Sequence, residues 1–154
     1  MQLTTLFLPL RVSPRGPLFA IALVLLTIHG TAQSSKQLNE KIVRTVYAAY
    51  EKKDWNMLKS VLAEGFTFSS PVNVPPIDIK EYKEKCWPNC ENIKKFVLDK
   101  LMVDGDNVFV NYHCWTLTDK EFWNTEYFTL KDGKIKEFAC FFGPGIGFPN
   151  NTGK

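Results

Sequence analysis

Histidine is nearly missing from this chain: there are two in 154 residues. His29 lies inside an apolar leader, so His113 is the only histidine of the domain that follows. Cysteine is scarce as well, with four in all. Cys86 and Cys90 bracket Trp-Pro-Asn, while Cys114 and Cys140 fall on separate strands. That spacing is a poor match to the close ligand pairs of a zinc site, so no metal is expected, and no cofactor. No basic run occurs. Arg11 and Arg15 in the leader account for two of the 19 basic residues, and without them the net charge falls from +3 to +1. Nothing here points to a nucleic-acid partner. A long apolar run is absent too. Leu18 to Ile28 is short for a bilayer. Behind Arg11 and Arg15, and before the small residues Gly30-Thr31-Ala32, it reads as an export signal cleaved after Ala32. The expected organisation is a signal peptide over 1–32, a domain over 33–143 and a flexible tail over 144–154. The mature protein would be exported, periplasmic or secreted, with no membrane association after cleavage. Internal repeats and low-complexity segments are lacking.

What the chain has is β-sheet sequence in its second half. Asn107–Thr118, Glu121–Lys131 and Lys134–Phe142 are rich in Val, Phe, Tyr, Trp and Thr, which fit a half-buried pleated surface. Asp119-Lys120 and Asp132-Gly133 separate them, and Asp-Gly between apolar strands is a strong hairpin signal. With two-residue loops at both places, His113 falls opposite Glu126, Trp115 opposite Asn124 and Asn111 opposite Phe128. Side chains alternate with period two, so these share one face. That face is mostly apolar but carries His113, Glu126, Asn111 and Asn124 near its centre. The other holds Tyr112, Cys114, Trp123, Tyr127, Phe138, Cys140 and Phe142. A large apolar face is costly to leave in water, so the second face predicts a homodimer.

Upstream, Leu38–Lys53 has helical apolar periodicity, after a loose leader at 33–37. Asp54 can cap a short helix over Trp55–Ala63, ended by Gly65. Phe66–Ser69 reads as a short strand, and Pro71, Pro75 and Pro76 as a stiff loop. Asp78 opens a third helix reaching Cys86, stopped by Pro88. Ile93–Val103 is a long strand. Helices followed by strands predict an α+β fold, a twisted antiparallel sheet with three N-terminal helices across one face.

Several stretches carry a resemblance to a known family. They are Val46-Tyr47-Ala48-Ala49-Tyr50…Asp54, Leu58…Leu62-Ala63…Phe66-Thr67-Phe68-Ser69-Ser70-Pro71, Val103-Asp104-Gly105-Asp106-Asn107-Val108 and Tyr127-Phe128…Asp132-Gly133-Lys134-Ile135. In order and spacing they resemble the NTF2-like superfamily, and within it the SnoaL-like proteins, over about residues 37–143. The resemblance implies a cone: a curved antiparallel sheet wrapped round three helices, with a pocket between them and often a dimer through the outer sheet face. It spans isomerases, cyclases, dehydratases and pocketed binding proteins, so fold alone does not give function. Ketosteroid isomerase has a catalytic Asp where this chain has Ser70, and a helix Tyr where it has Val46, with Tyr47 one step away. Its protonated acid falls on Glu126. The acid that polyketide cyclases place near the last strand's end is missing at Phe141-Phe142-Gly143.

Three functions stay open. The first is an exported domain that binds a small, largely apolar molecule, with Tyr47, Asn111, Trp115, Asn124 and Phe128 as contacts. The second is a lyase or isomerase using His113 and Glu126 as an acid–base pair, since a carboxyl and an imidazole among apolar side chains can exchange protons near neutral pH. The third is an interaction domain with a vestigial pocket. Cys86 and Cys90 are expected to form a disulfide, given an oxidising compartment and a helix ending at Cys86.

Overall fold

The structure is a computed structural model that describes the backbone of residues 16–142, with the side chains of residue 33 and residues 35–142. Arg11, Arg15 and the tail 144–154 lie outside the described residues. The chain divides into two units, Met1–Ser34 and Ser35–Lys154. The first is helical where described. No helix among the described residues is long and apolar enough to cross a membrane.

The second unit is an α+β domain. Its elements are the part of α1 (Gly16–Lys52) from Ser35 on, α2 (Trp55–Lys59), β1 (Leu62–Ser70), β2 (Asn73–Asp78), α3 (Ile79–Lys85), a 3-10 helix (Trp87–Asn92), β3 (Ile93–Asp104), β4 (Asn107–Thr116), β5 (Glu121–Lys131) and β6 (Lys134–Phe141). Residues 33–37, expected to be loose, belong to α1. Asp54 caps α2 through Met57 N–H, and Asp78 caps α3 through Lys80 and Glu81 N–H. Each short acceptor satisfies amides that the first helical turn leaves unpaired.

The six strands form one sheet in the order β2-β1-β6-β5-β4-β3. It is mixed rather than antiparallel throughout, because β1 lies parallel to β6. The proline stretch is an edge strand, not a loop. β2 holds Pro75 and Pro76, and an edge tolerates residues that cannot donate to a neighbour. α2 is shorter than its sequence suggests, because β1 claims Leu62 and Ala63. Register shifts in β1, β3 and against β6 bend the sheet, as extra residues in one strand do. One shift in β1 falls at Gly65, whose φ of +64° favours a residue without a Cβ. The curved inner face and the helices share one core. Val43, Val46 and Ala49 of α1 join Leu58, Phe66, Tyr82, Val108, Val110, Phe128 and Ile135 in it. Asn39 Nδ2 donates to Gly105 O at 3.0 Å and pins α1 to the β3–β4 turn.

The strand register differs from the two-hairpin expectation. The β4–β5 connection is Thr116–Lys120, and Trp115 pairs with Glu121. Within it Thr116 N–H donates to Lys120 O at 2.9 Å and Asp119 N–H to Thr116 O at 3.0 Å, with Asp119 at φ +56°. Leu117 N–H donates to Asn92 O at 2.9 Å, beside the Ile93–Thr116 pair, so Leu117 bonds toward β3 rather than pairing with β5. The loop therefore takes three more residues than Asp119-Lys120 alone. An odd shift turns every β4 side chain to the other face. The second hairpin does close at Asp132-Gly133, with Lys131 opposite Lys134. Beyond it, Leu130 pairs with Ile135 but Thr129 with Glu137, so β6 carries an extra residue. That bulge turns the rest of β6 over as well. Lys136 Nζ, at the bulge, donates to Gly65 O at 2.7 Å.

The inner face thus combines Val108, Val110, Tyr112 and Cys114 with Asn124, Glu126, Phe128 and Leu130, then Phe138 and Cys140. Asn111, His113 and Trp115 point outward with Trp123. Substituting neighbours in β4 tests this. Val110 is fully buried, so Val110→Asp should cost several kcal/mol, about 4 or more, by burying an unpaired charge. Asn111→Asp, on the outer face, should cost no more than about 1 kcal/mol. Urea unfolding of both variants checks the expectation; the reverse ranking contradicts the register.

Candidate functional site

The inner face does not fill completely. A cavity of about 520 Å³ lies between α1, α3 and the sheet. Val46, Tyr47 and Tyr50 reach it from α1, and Tyr82 and Cys86 from α3 and its end. Phe68 and Ser70 come from β1, Phe96 from β3, Tyr112 from β4, Asn124 and Glu126 from β5, and Phe138 and Cys140 from β6. The walls are largely aromatic. Tyr47 meets Phe96 and Tyr112 edge to face, with centroids 5.2 and 5.3 Å apart. Such contacts hold rings in fixed orientations.

Glu126 is the polar centre. It is buried, at 6 % exposure. Tyr47 Oη donates to its Oε2 at 2.6 Å, and Tyr112 Oη to its Oε1 at 2.9 Å. Asn124 Nδ2 donates to Tyr112 Oη at 3.2 Å and to Cys140 Sγ at 3.7 Å. Burial pushes the Glu126 carboxyl up to about 7, against the lowering effect of hydrogen bonds from Tyr47, Tyr112 and Cys140. Burial, then the Glu126 charge, pushes the Tyr47, Tyr112 and Cys140 protons to higher pH than usual. A second hydroxyl pair, Tyr50 with Tyr82, sits nearby in the same cavity. Asn73 Nδ2 donates to Ser70 Oγ at 2.9 Å at the rim.

The site residues expected from the sequence divide three ways. Tyr47, Asn124 and Glu126 line the cavity. Phe128 is fully buried, packed face to face on Phe138 with centroids 4.6 Å apart, in the core rather than on the wall. Asn111, His113 and Trp115 lie on the outer face, sent there by the five-residue loop. Asn111 Nδ2 donates to Thr125 Oγ1 at 3.2 Å. His113 lies against Trp123, centroids 3.7 Å apart, with Asp99 Oδ2 3.5 Å from its Nε2 and Glu121 Oε1 3.7 Å from its Nδ1. The expected His113–Glu126 pair does not form, and Glu126 opposes Val110 instead. An acid–base mechanism shared by these two side chains is therefore corrected.

The disulfide is corrected too. Cys86, Cys90, Cys114 and Cys140 all carry free thiols. A 3-10 helix runs from Trp87 through Cys90, and at three residues per turn positions four apart point to different sides. Cys86 Sγ faces Asn73 and Cys90 Sγ faces Glu91. Among the described residues no cluster of His, Cys, Asp or Glu could hold a metal ion. The sequence reading missed Tyr112 as a partner of Glu126. The same loop displaced it, by assigning it to the outer face. It also missed Tyr50, whose helical spacing from Tyr47 was visible, and Tyr82.

The SnoaL-like domain family matches residues 43–138. Among curated proteins no significant sequence match is found. Solved structures similar to this chain include a de novo designed protein with a curved β-sheet, at 17% identity and TM-score 0.63, over 71% of this chain and 88% of that one. An NTF2-like protein of unknown function from Cytophaga hutchinsonii matches at 22% identity and TM-score 0.56, over 69% and 90%. An LEH-like epoxide hydrolase from M. tuberculosis matches at 14% identity and TM-score 0.58, over 70% and 84%. At these identities the likeness is one of fold.

The raised Glu126 carboxyl makes stability depend on pH. Its folded value, about 7, exceeds the ordinary 4.5, so between those values the folded state holds the proton more tightly. The contribution is full below pH 4.5 and is lost as pH rises to 7, by roughly 3 kcal/mol in total. Glu126→Gln should flatten that part of the profile. Chemical denaturation at stepped pH checks it; a variant with the wild-type slope contradicts it.

Proposed function

The chain belongs to the SnoaL-like domain family, and from that premise we propose that it binds a small, largely apolar molecule in its cone, with Glu126 and its hydrogen-bonded partners as the polar contact. One observation carries this: a cavity of about 520 Å³ with aromatic walls and a single dense polar network, in the size range of small-molecule sites. Ser70 at the position of the isomerase's catalytic Asp, and His113 on the other face of the sheet, leave Glu126 without a second acid or base beside it. Binding is therefore favoured over the lyase or isomerase reading.

A bicyclic probe with one hydroxyl, 2-naphthol, tests the proposal. It should saturate the protein with a Kd on the order of 0.1 mM, given what a fragment of its size can gain. Glu126→Leu should weaken it several-fold while leaving naphthalene unaffected. Absence of saturable binding in fluorescence and NMR titrations would overturn the reading.

Export and a homodimer are further parts of the proposal. Export rests on Arg11, Arg15, the apolar stretch and Gly30-Thr31-Ala32. The dimer rests on the outer sheet face, where Trp123 and Phe141 are 65% and 56% exposed. Tyr112, Phe138 and Cys140, at first assigned to that face, belong to the cavity. A native N-terminus at Gln33 and a dimer in sedimentation, broken by Trp123→Glu, are expected. Native protein starting at Met1, or a wild-type monomer at micromolar concentration, contradicts the respective part.

A further inference from the structure

We propose that the cavity selects an organic ammonium: a protonated amine carried on a small apolar body, with Glu126 as its counter-charge. The inference rests on the binding proposal above and names the class of its ligand.

Tyr47 Oη and Tyr112 Oη each have one proton, and both go to Glu126. The Asn124 amide has two, directed at Tyr112 Oη and Cys140 Sγ. Every donor of the network is thus occupied within it. What remains is acceptor capacity: the other lone pairs of the Glu126 carboxylate, Tyr47 Oη, and Asn124 Oδ1. While Glu126 is ionised, a ligand carbonyl or carboxylate would find no free donor on these four groups. A group rich in donors is what the network lacks, and an ammonium brings three.

No Lys, Arg or His among the described residues forms an ion pair with Glu126. His113 is on the outer face with Asp99 and Glu121, and Lys85, at the cavity edge, pairs with Glu81 at 2.7 Å. A buried carboxylate without a cation is costly, and a cation that removes the imbalance is attracted correspondingly. Folding has already removed this carboxylate from water, so a ligand meets a desolvated, fixed anion. Tyr47 and Tyr112, whose hydroxyls reach Glu126, pack edge to face with each other and with Phe96, and all three rings line the cavity. Aromatic ring faces attract a cation more strongly than a neutral group of the same shape.

Proton linkage follows. The titratable groups facing Glu126 are Tyr47 from α1, Tyr112 from β4 and Cys140 from β6, with Tyr50 and Tyr82 beyond them. Burial moves all five upward, so they stay protonated at neutral pH. Around pH 7 Glu126 is the group of this set that titrates. An ammonium needs its ionised form, so binding below neutral pH should expel a proton.

The test compares 2-naphthylmethylamine with 2-naphthylmethanol on the full chain by calorimetry. At about pH 8 the amine should bind about tenfold or more tighter than the alcohol. The preference should shrink toward about pH 5.5 as Glu126 takes up its proton, and vanish in Glu126→Gln. In wild-type protein near pH 6, amine binding should release a proton, seen as a dependence of heat on buffer ionisation enthalpy; alcohol binding should not. This arm needs no variant to fold. An alcohol that binds as well as the amine at pH 8, or amine binding without proton release, overturns the ammonium while leaving the apolar cavity standing. Failure of both probes to bind overturns the cavity reading as well.

Discussion

The hydroxyl of Tyr47 on the carboxyl of Glu126 joins the helical layer to the sheet at the deepest point of the cone. Tyr112 closes the same carboxyl from the neighbouring strand, so three elements meet on one side chain. A carboxyl at this depth is tolerable only with donors on both oxygens, because a buried polar group without partners costs on the order of 1–3 kcal/mol, and a charged one more. The aromatic contacts among Tyr47, Phe96 and Tyr112 hold those donors in place. Below this point the inner face packs solidly around Phe128, which stacks on the cavity-lining Phe138. Above it the cavity opens between α1, α3 and the sheet. The network thus divides core from pocket and makes Glu126 both a structural tie and the cavity's polar end.

Much of this was legible in the amino-acid sequence, and what was not has a local cause. Helical periodicity in α1, the caps Asp54 and Asp78, and the Asp132-Gly133 turn are set by short-range chemistry, which a single sequence displays. The family resemblance carried the fold, and its match of a buried acid to Glu126 led to the residue at the centre of the cavity. The error lay in parity. Asp119-Lys120 looks like a two-residue hairpin, but Leu117 N–H bonds Asn92 O, next to the start of the neighbouring strand β3. That contact lies 25 residues away in the chain and cannot be read from the turn itself. One loop three residues longer than expected exchanged His113 for Tyr112 on the inner face. It turned a presumed acid–base pair into a carboxyl held by phenols. The bulge near Lys136 acted likewise on β6. Its mark in the sequence is weak, the charged pair Lys136-Glu137 before the apolar run Phe138–Phe141, with the Lys136 amine reaching back to the Gly65 carbonyl.

These two corrections change the chemistry more than the architecture. A His–Glu pair would give the cavity an acid and a base near neutrality. The observed network gives it one carboxyl, phenols that stay protonated, and the amide of Asn124. His113 has become part of the outer face, between Trp123 and two carboxylates. Recognition of a donor-bearing guest follows from the inner set more directly than proton shuttling does.

The central claim is that Glu126 lies buried inside the cone under two tyrosine hydroxyls. The most direct test is its ionisation, followed by the carboxyl ¹³C shift in NMR across a pH titration, with Glu126→Gln used to assign the resonance. The account predicts a midpoint of about 7, moving higher in Tyr47→Phe because one donor to the charged form is lost. A midpoint near the ordinary 4.5, unmoved by Tyr47→Phe, would contradict it.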